Sequence, residues 1–372
     1  MGKRILLLSD IDSAHTRKWA LSLAERGYET GIFSLRKSEN SWFRDFPQLT
    51  VFDAFGFGKE KFREGSRSKL SYLKLVPYLR KVIAEFKPDL VHAHYATSYG
   101  LLGARSRFHP LIISVWGSDI FDFPKASWLN KRLVIYNLKR ADRIFSTSHI
   151  MKAEILKYVN REVDVTPFGT DVSVFSRKEA QPLPETGNAK VIGLVKSMED
   201  KYGISVLIHA FALVKKEYAE PLKLVLAGSG SKLETYRLLA KELGLENDVI
   251  FTGQVPANEV AVYHNRFDIF ASVSVLDSES FGVSLVEAMA CERPAVVSSV
   301  GGLKEVAVDG ETAVFVPPDD PEKTAAALLK LLRDPALAKK MGEAGRARVL
   351  AHYDWKKNLD AVELLYRDLL KK

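Results

Sequence analysis

Glu279 and Glu287 bracket the segment Glu279-Ser-Phe-Gly-Val-Ser-Leu-Val-Glu287-Ala-Met-Ala, which follows an apolar run and a polar turn, Asp277-Ser278. The pattern predicts a helix whose first residues include Gly282 and Ser284. Unpaired N–H groups at such a start attract phosphate oxygens. Glu287 comes five residues after Gly282, roughly 7.5 Å along the axis at about 1.5 Å per residue. That offset is similar to the distance between a diphosphate and the hydroxyls of the ribose that carries it. Glu279 precedes the helix, where its carboxylate can accept both hydroxyl hydrogens of a vicinal diol on a sugar. Spacing alone fits equally an N-terminal acid favoured by the helix dipole and a solvated mid-helix Glu.

A second segment, Ile192-Gly-Leu-Val-Lys196-Ser-Met-Glu-Asp-Lys201-Tyr-Gly203, places two lysines five apart on a loop between a strand and a helix. Such a pair can stabilise the negative charge of a departing diphosphate; it is also what a basic surface loop looks like. Two glycine turns after strands, Gly228-Ser-Gly230 and Gly301-Gly302, would let a ligand approach the backbone. Each is a weak signal alone. In the first half, His15, His92, His94 and Asp119 fall at strand ends or in the turns that follow. His92 and His94 share one face of a strand, but no third metal ligand accompanies them, so a buried or acceptor-facing role is favoured over metal. Asp10-Ile-Asp12 matches a metal–diphosphate pattern, yet it ends the very first strand, far from where that motif belongs.

These residues need a scaffold that aims turns at one place. Short β-branched runs alternate with helix-period segments throughout. The first half predicts strands over Arg4–Ser9, Thr30–Ser34, Leu49–Asp53, Leu90–His94, Leu111–Val115, Ile144–Ser148 and Val163–Pro167. After a polar stretch at 176–189 the alternation restarts, with strands over Lys190–Val195, Leu222–Ala227, Val249–Thr252, Ile269–Ser274, Ala295–Val300 and Ala313–Val316. The chain ends in three helical segments, the last from Asp354 to Leu370. Alternation of this kind implies parallel sheets covered on both faces. The expected division is a domain at 1–175, a linker at 176–189 and a domain at 190–354, facing across a cleft, with ligands outside the carboxyl ends of the strands.

Composition narrows the class. With 47% apolar and 27% charged residues over 372, the chain reads as an ordinary globular protein. One cysteine, Cys291, excludes an intrachain disulfide and a cysteine-based zinc site, and fits a reducing compartment. No apolar run approaches the roughly 18 residues that span a bilayer, and the N-terminus lacks the form of a signal peptide. Residues 1–180 hold 30 basic and 19 acidic residues, net +11; residues 181–372 hold 24 and 27, net −3. The densest basic stretch, 55–87, is interleaved with Phe55, Phe57, Phe62, Tyr72, Leu73 and Val76. A solvated helix face and a surface meeting anionic lipid headgroups both fit it; nucleic acid does not, since no DNA- or RNA-binding motif accompanies the charge. A nicotinamide dehydrogenase is disfavoured because no Gly-x-Gly-x-x-Gly follows the first strand.

Taken together, these segments resemble glycosyltransferase family 4, retaining enzymes of the GT-B fold. Glu279…Glu287 is similar to that family's E-x7-E motif. Pro167–Phe175 (PFGTDVSVF), Val249–Val255 (VIFTGQV), Gly301-Gly302 with Glu305, and Asp309–Asp320 (DGETAVFVPPDD) follow in the family's order. The resemblance implies an α/β fold of two Rossmann-like domains, the first binding the acceptor and the second a nucleotide diphosphate sugar. It implies Glu287 on the ribose, Glu279 on the transferred sugar, and the amides around Phe281, Gly282, Val283 and Ser284 on the sugar and diphosphate, with Leu285 among the donor-binding residues. It places Lys201, and with it Lys196, on the diphosphate, the backbone near Val255 at the base, and Gly228 and Gly230 beside the nucleotide. It implies no metal and no cofactor, and a C-terminal helix, about 355–372, crossing back onto the first domain. The family's Arg after the glycine matched by Gly193 is Leu194 here, its His after the fifth strand is Trp116, and its glycine loop after the first strand is Asp12-Ser13-Ala14. His15, His94, Trp116 and Asp119 are therefore candidates for an altered acceptor pocket. The expected partners are a nucleotide-sugar donor and a saccharide or lipid-linked acceptor, with an anionic surface met through 55–87 and a place at the cytoplasmic side of the membrane. An epimerase or phosphorylase of the same fold, or a silent nucleotide-sugar-binding subunit, are the alternatives.

Overall fold

A computed structural model describes residues 2–39, 41–53, 72–179, 183 and 185–371. The chain divides into two compact units: residues 1–166 with 361–372, and residues 167–360.

The first unit is built on a seven-stranded parallel sheet, in the order β3-β2-β1-β4-β5-β6-β7. Its strands are β1 (Arg4–Leu8), β2 (Glu29–Ser34), β3 (Leu49–Asp53), β4 (Leu90–His94), β5 (Leu111–Val115), β6 (Arg143–Ser146) and β7 (Val163–Val165). Every residue of β4 and β5 is buried, as continuous apolar runs covered by helices on both faces must be. Strands β6 and β7 stop two residues earlier than their β-branched runs suggest. At the end of β6, Ser148 turns to cap α6 (His149–Leu156), its Oγ accepting from Met151 N–H. The reversal of strand order between β1 and β4 defines a switch point, and ligands in such sheets bind beside it at the carboxyl ends.

The C-terminal helix α14 (Trp355–Leu370) gives its last turns to this unit. Glu363 accepts hydrogen bonds from Arg26 Nη1 and from Tyr28 Oη. Tyr366 is fully buried, with its hydroxyl 2.6 Å from His92 Nδ1.

The second unit carries a six-stranded parallel sheet, in the order β10-β9-β8-β11-β12-β13. Here the strands are β8 (Lys190–Val195), β9 (Leu222–Ala227), β10 (Val249–Gly253), β11 (Ile269–Ser272), β12 (Ala295–Ser298) and β13 (Val314–Val316). The polar stretch 176–189 is tied to this unit: Lys178 N–H donates to Asn265 Oδ1, and Arg266 donates to Gly187 O and Ala189 O. Most of the basic run 55–87 lies outside the described residues, which resume at Tyr72. From Val76 to Phe86 it forms helix α2, which buries Val76, Leu79 and Val82. Among the described residues, no helix is long and apolar enough to cross a membrane.

Candidate functional site

The second unit gathers most of its predicted residues at the carboxyl ends of β8, β9, β11 and β12. Lys196 leaves the end of β8, and its Nζ lies 2.6 Å from Glu279 Oε2. Glu279 is 8% exposed, and Ser274 Oγ also reaches its Oε2 at 3.4 Å. Lys196 Nζ sits over the Tyr202 ring, 4.4 Å from the centroid. Burial would push its pKa down, but the charge of Glu279, Tyr202, the Glu279 hydrogen bond and the charge of Glu287 together hold it above the ordinary lysine value. The ammonium is therefore a fixed positive charge in a water-poor setting, where it acts strongly on an incoming anion. Leu194, which stands where the resemblance expects Arg, is 1% exposed inside β8. The cation at this place is Lys196, two residues on.

The loop after β8 is buckled onto its neighbours. Glu199 accepts from Ser231 N–H and Oγ, and Asp200 accepts from Tyr236 Oη and pairs with Lys232. Lys201 O accepts from Val275 N–H, and Lys201 Nζ lies 4.9 Å from the Tyr202 ring centroid. Gly228 and Gly230 have a role here that the spacing did not show. A Cβ on Gly228, which adopts φ +145°, would run into Lys196 O, and one on Gly230 would meet the backbone of Met198. These glycines let two loops close on each other and so set the position of Lys196. Gly301 and Gly302 do the same for the acidic loop. Gly302 N–H donates to Glu279 O, Gly301 N–H donates to Asp277 Oδ1, and a Cβ on Gly302 would meet the backbone of Ser280 and Phe281.

Helix α10 runs from Val283 to Ala290, with Gly282 at its N-cap. Leu285 N–H and Val286 N–H fold back to Gly282 O, so the preceding amides are the ones left for a ligand. Ser284 Oγ is buried at this end with no partner. Phe281 packs edge-on against Phe168 and Tyr353; its side chain is structural and only its backbone faces the site. Glu287 lies on the same helix, and its carboxylate Oε2 is 3.5 Å from Nε2 of buried His264. Val255 follows the turn in which Gly253 O accepts from Gly228 N–H. The result is one region holding two cations, a helix start and two carboxylates: counter-charge for a diphosphate, and acceptors for hydroxyls.

Two of the first unit's candidates, His94 and Trp116, line a cavity of about 220 Å³ at the carboxyl ends of β1, β2, β4 and β5, together with Asp10, Arg36, Tyr95 and Tyr99 among others; His15 and Asp119 are not part of its lining. His94 is 1% exposed, its Nδ1 lies 3.1 Å from Ser9 Oγ, and its Nε2 has no hydrogen-bond partner. Burial, aided by His92 and His15, holds its pKa well below the ordinary value, so His94 is neutral at pH 7. Trp116 stacks on it at 4.8 Å, with His15 at 5.5 Å from Trp116. Asp119 is fully buried and works on the backbone: its carboxylate accepts from the N–H groups of Ala96, Trp116 and Gly117, and burial raises its pKa to about 6. His92 is saturated between Tyr366 Oη and Ser114 Oγ, each at 2.6 Å. Among the described residues, no three His, Cys, Asp or Glu side chains are grouped to hold a metal.

Two doubly wound units, each on a parallel sheet, define the architecture of GT-B glycosyltransferases. Known proteins agree. Residues 4–148 match the family model described as Glycosyl transferase 4-like, and residues 175–348 match Glycosyl transferases group 1. The chain belongs to the group 1, family-4-type glycosyltransferases. It is 26% identical over 313 residues to an N-acetyl-alpha-D-glucosaminyl L-malate synthase of Bacillus anthracis, covering 80% of each chain. It is 28% identical over 294 residues to a GDP-mannose-dependent alpha-(1-6)-phosphatidylinositol monomannoside mannosyltransferase of Mycolicibacterium smegmatis, covering 75% of this chain and 76% of that one. The solved sucrose-phosphate synthase of Thermosynechococcus elongatus shares the fold, with a TM-score of 0.86 at 24% identity over 99% of both chains.

Proposed function

We propose that this glycosyltransferase takes a nucleotide diphosphate sugar on its second unit and transfers the sugar, with retention and without a metal, to an acceptor hydroxyl. The observation that carries the reading is the Lys196–Glu279 pair, 2.6 Å apart in the unit that bears the α10 N-terminus. A diphosphate entering there meets Lys196, Lys201 and the amides from Phe281 to Ser284; Leu285, whose N–H is taken by Gly282 O, gives none. As Lys196 turns to the phosphate, Glu279 is left to accept the hydroxyls of the sugar, and Glu287 those of the ribose. The bond from the anomeric carbon to the phosphate oxygen breaks while the acceptor oxygen bonds on the same face, and the acceptor proton passes to the departing phosphate. The lysines and amides supply the counter-charge a metal would otherwise bring. Relatives support the donor class: one carries GDP-mannose dependence in its name, and a solved Anabaena neighbour of the same fold was captured with UDP-glucose.

The acceptor belongs to the cavity of the first unit. Its aromatic walls, Tyr95, Tyr99 and Trp116, suit the C–H face of a sugar ring. The net charge of +11 over residues 1–180 suits a lipid-linked acceptor at the anionic cytoplasmic face of a membrane.

The test is a panel of UDP-, GDP- and ADP-sugars, followed by thermal stability and free-nucleotide release with EDTA present. One donor should raise the melting temperature with the logarithm of its concentration and slowly release its diphosphate. No stabilisation at millimolar concentration would sink the donor assignment, and loss of turnover in EDTA would sink metal independence. Failure to float with anionic vesicles at low salt would remove the membrane reading.

A further inference from the structure

His264 lies in helix α9 (Val260–Arg266) with none of its side chain exposed. Neither ring nitrogen has a hydrogen-bond partner. Phe175, Phe267 and Phe270 surround the ring, with centroids 6.1, 5.8 and 5.7 Å away. An apolar residue would pack this site without the cost of burying a polar ring. Glu287 Oε2 lies beside the imidazole, 3.5 Å from Nε2.

That contact selects the tautomer. With the proton on Nδ1, a nitrogen lone pair would face a carboxylate oxygen. With the proton on Nε2, the ring donates toward Oε2, and a shift of a few tenths of an ångström makes a full hydrogen bond. An imidazole held rigidly by three aromatic rings would then fix one oxygen of Glu287 and leave the other facing the ligand. We propose that His264 is a positioning residue: it orients Glu287 so that the carboxylate meets the ribose hydroxyls of the nucleotide. This rests on the donor reading above and adds to it the group that holds its ribose-binding carboxylate in place.

The experiment is a cycle between residue and ligand, in the full-length protein, with UDP, GDP and ADP and their 2′,3′-dideoxy counterparts. His264→Phe removes the donor and keeps an aromatic ring in the aromatic pocket. It should weaken the binding nucleoside diphosphate by roughly tenfold, the scale of one charge-assisted hydrogen bond, and raise the donor KM with kcat nearly unchanged. With the dideoxy ligand the same variant should lose less than twofold, because the interaction it supports is already gone. His264→Gln, which can place an N–H near the same oxygen, should recover most of the affinity. Equal losses for both ligands, or a fall in kcat at unchanged KM, would overturn the proposal. Glu287→Gln is the reference. If it shows no coupling to the ribose hydroxyls, the donor reading fails with it; if it couples and His264→Phe does not, the positioning role alone is refuted. The melting temperature of His264→Phe should hold or rise, and a large drop with loss of both ligands would also refute it.

Discussion

Removing one member of the Lys196–Glu279 pair should cost far more stability than removing both. The two side chains are 17% and 8% exposed and lie 2.6 Å apart. Breaking a buried pair leaves an uncompensated charge, at about 3–5 kcal/mol, whereas replacing both members by apolar residues of similar volume is often neutral or stabilising. The residual exposure of Lys196 and its contact with the Tyr202 ring put Glu279→Leu near 3 kcal/mol. In a unit of this size each kcal/mol moves the melting temperature by about 2–4 °C, so the shift should be roughly 6–12 °C. Lys196→Met should cost a similar amount, because it strands the buried Glu279 beside the hydroxyl of Ser274. Lys196→Met with Glu279→Leu should fall within about 1 kcal/mol of the parent protein. All three should be inactive. Calorimetry and guanidinium unfolding, read on the transition of residues 167–360, supply the four corners of the cycle. A double variant that loses the sum of the two single losses would refute the reasoning, because the two residues would then act independently and the single losses would not come from stranding a buried partner. The predicted result would mean that the pair is kept for the reaction.

Lys201→Ala should lower kcat by about 10²–10³, the scale of one electrostatic contact to a developing charge, with an unchanged melting temperature; full activity would remove Lys201 from the leaving-group site. Gly203 adopts φ +66°, and a Cβ there would run into Val273 O, so Gly203→Ala should cost at least 1–3 kcal/mol in denaturant unfolding and displace Lys201 with it. Burial pulls the His92 pKa from 6.5 down to about 3. Its contribution to stability is therefore complete above pH 6.5 and lost as pH falls through that window, up to roughly 4–5 kcal/mol. Urea unfolding of the first unit between pH 7.5 and 4 should show that slope, and His92→Gln should flatten it; an unchanged slope would mean that other groups set the acid limb.

Much of this protein was legible one residue at a time. The parallel α/β organisation follows from the alternation of β-branched runs with helix-period segments, and β3, β4, β5, β8 and β9 fall on the runs that predicted them. Several strands end early, as β6, β11 and β12 do, because their last residues turn to serve loops: Ser148 caps α6, and Ser298 Oγ donates to Ser274 O. The glycines were visible as turns, but the reason for Gly228 and Gly230 was not. It is the approach of another loop's backbone, which no local pattern carries. Asp119 was visible as a carboxylate after a strand, yet its partners include Ala96, 23 positions away. His264 was missed, since a histidine on the apolar face of a short helix reads as core; the signal that sets it apart is the distance to Glu287.

The sequence by itself determined which chemistry is available: two lysines on one loop, one carboxylate before a helix and one within it, and glycine turns after strands, all properties of residue type and local pattern. Tertiary structure alone decided which of these groups meet. Lys196 and Glu279 are 83 positions apart, and their ion pair exists because two strand ends of one sheet lie side by side and glycine turns let their loops close. Charge, burial and hydrogen bonding act over a few ångströms, and those distances are set by packing between elements remote in the chain.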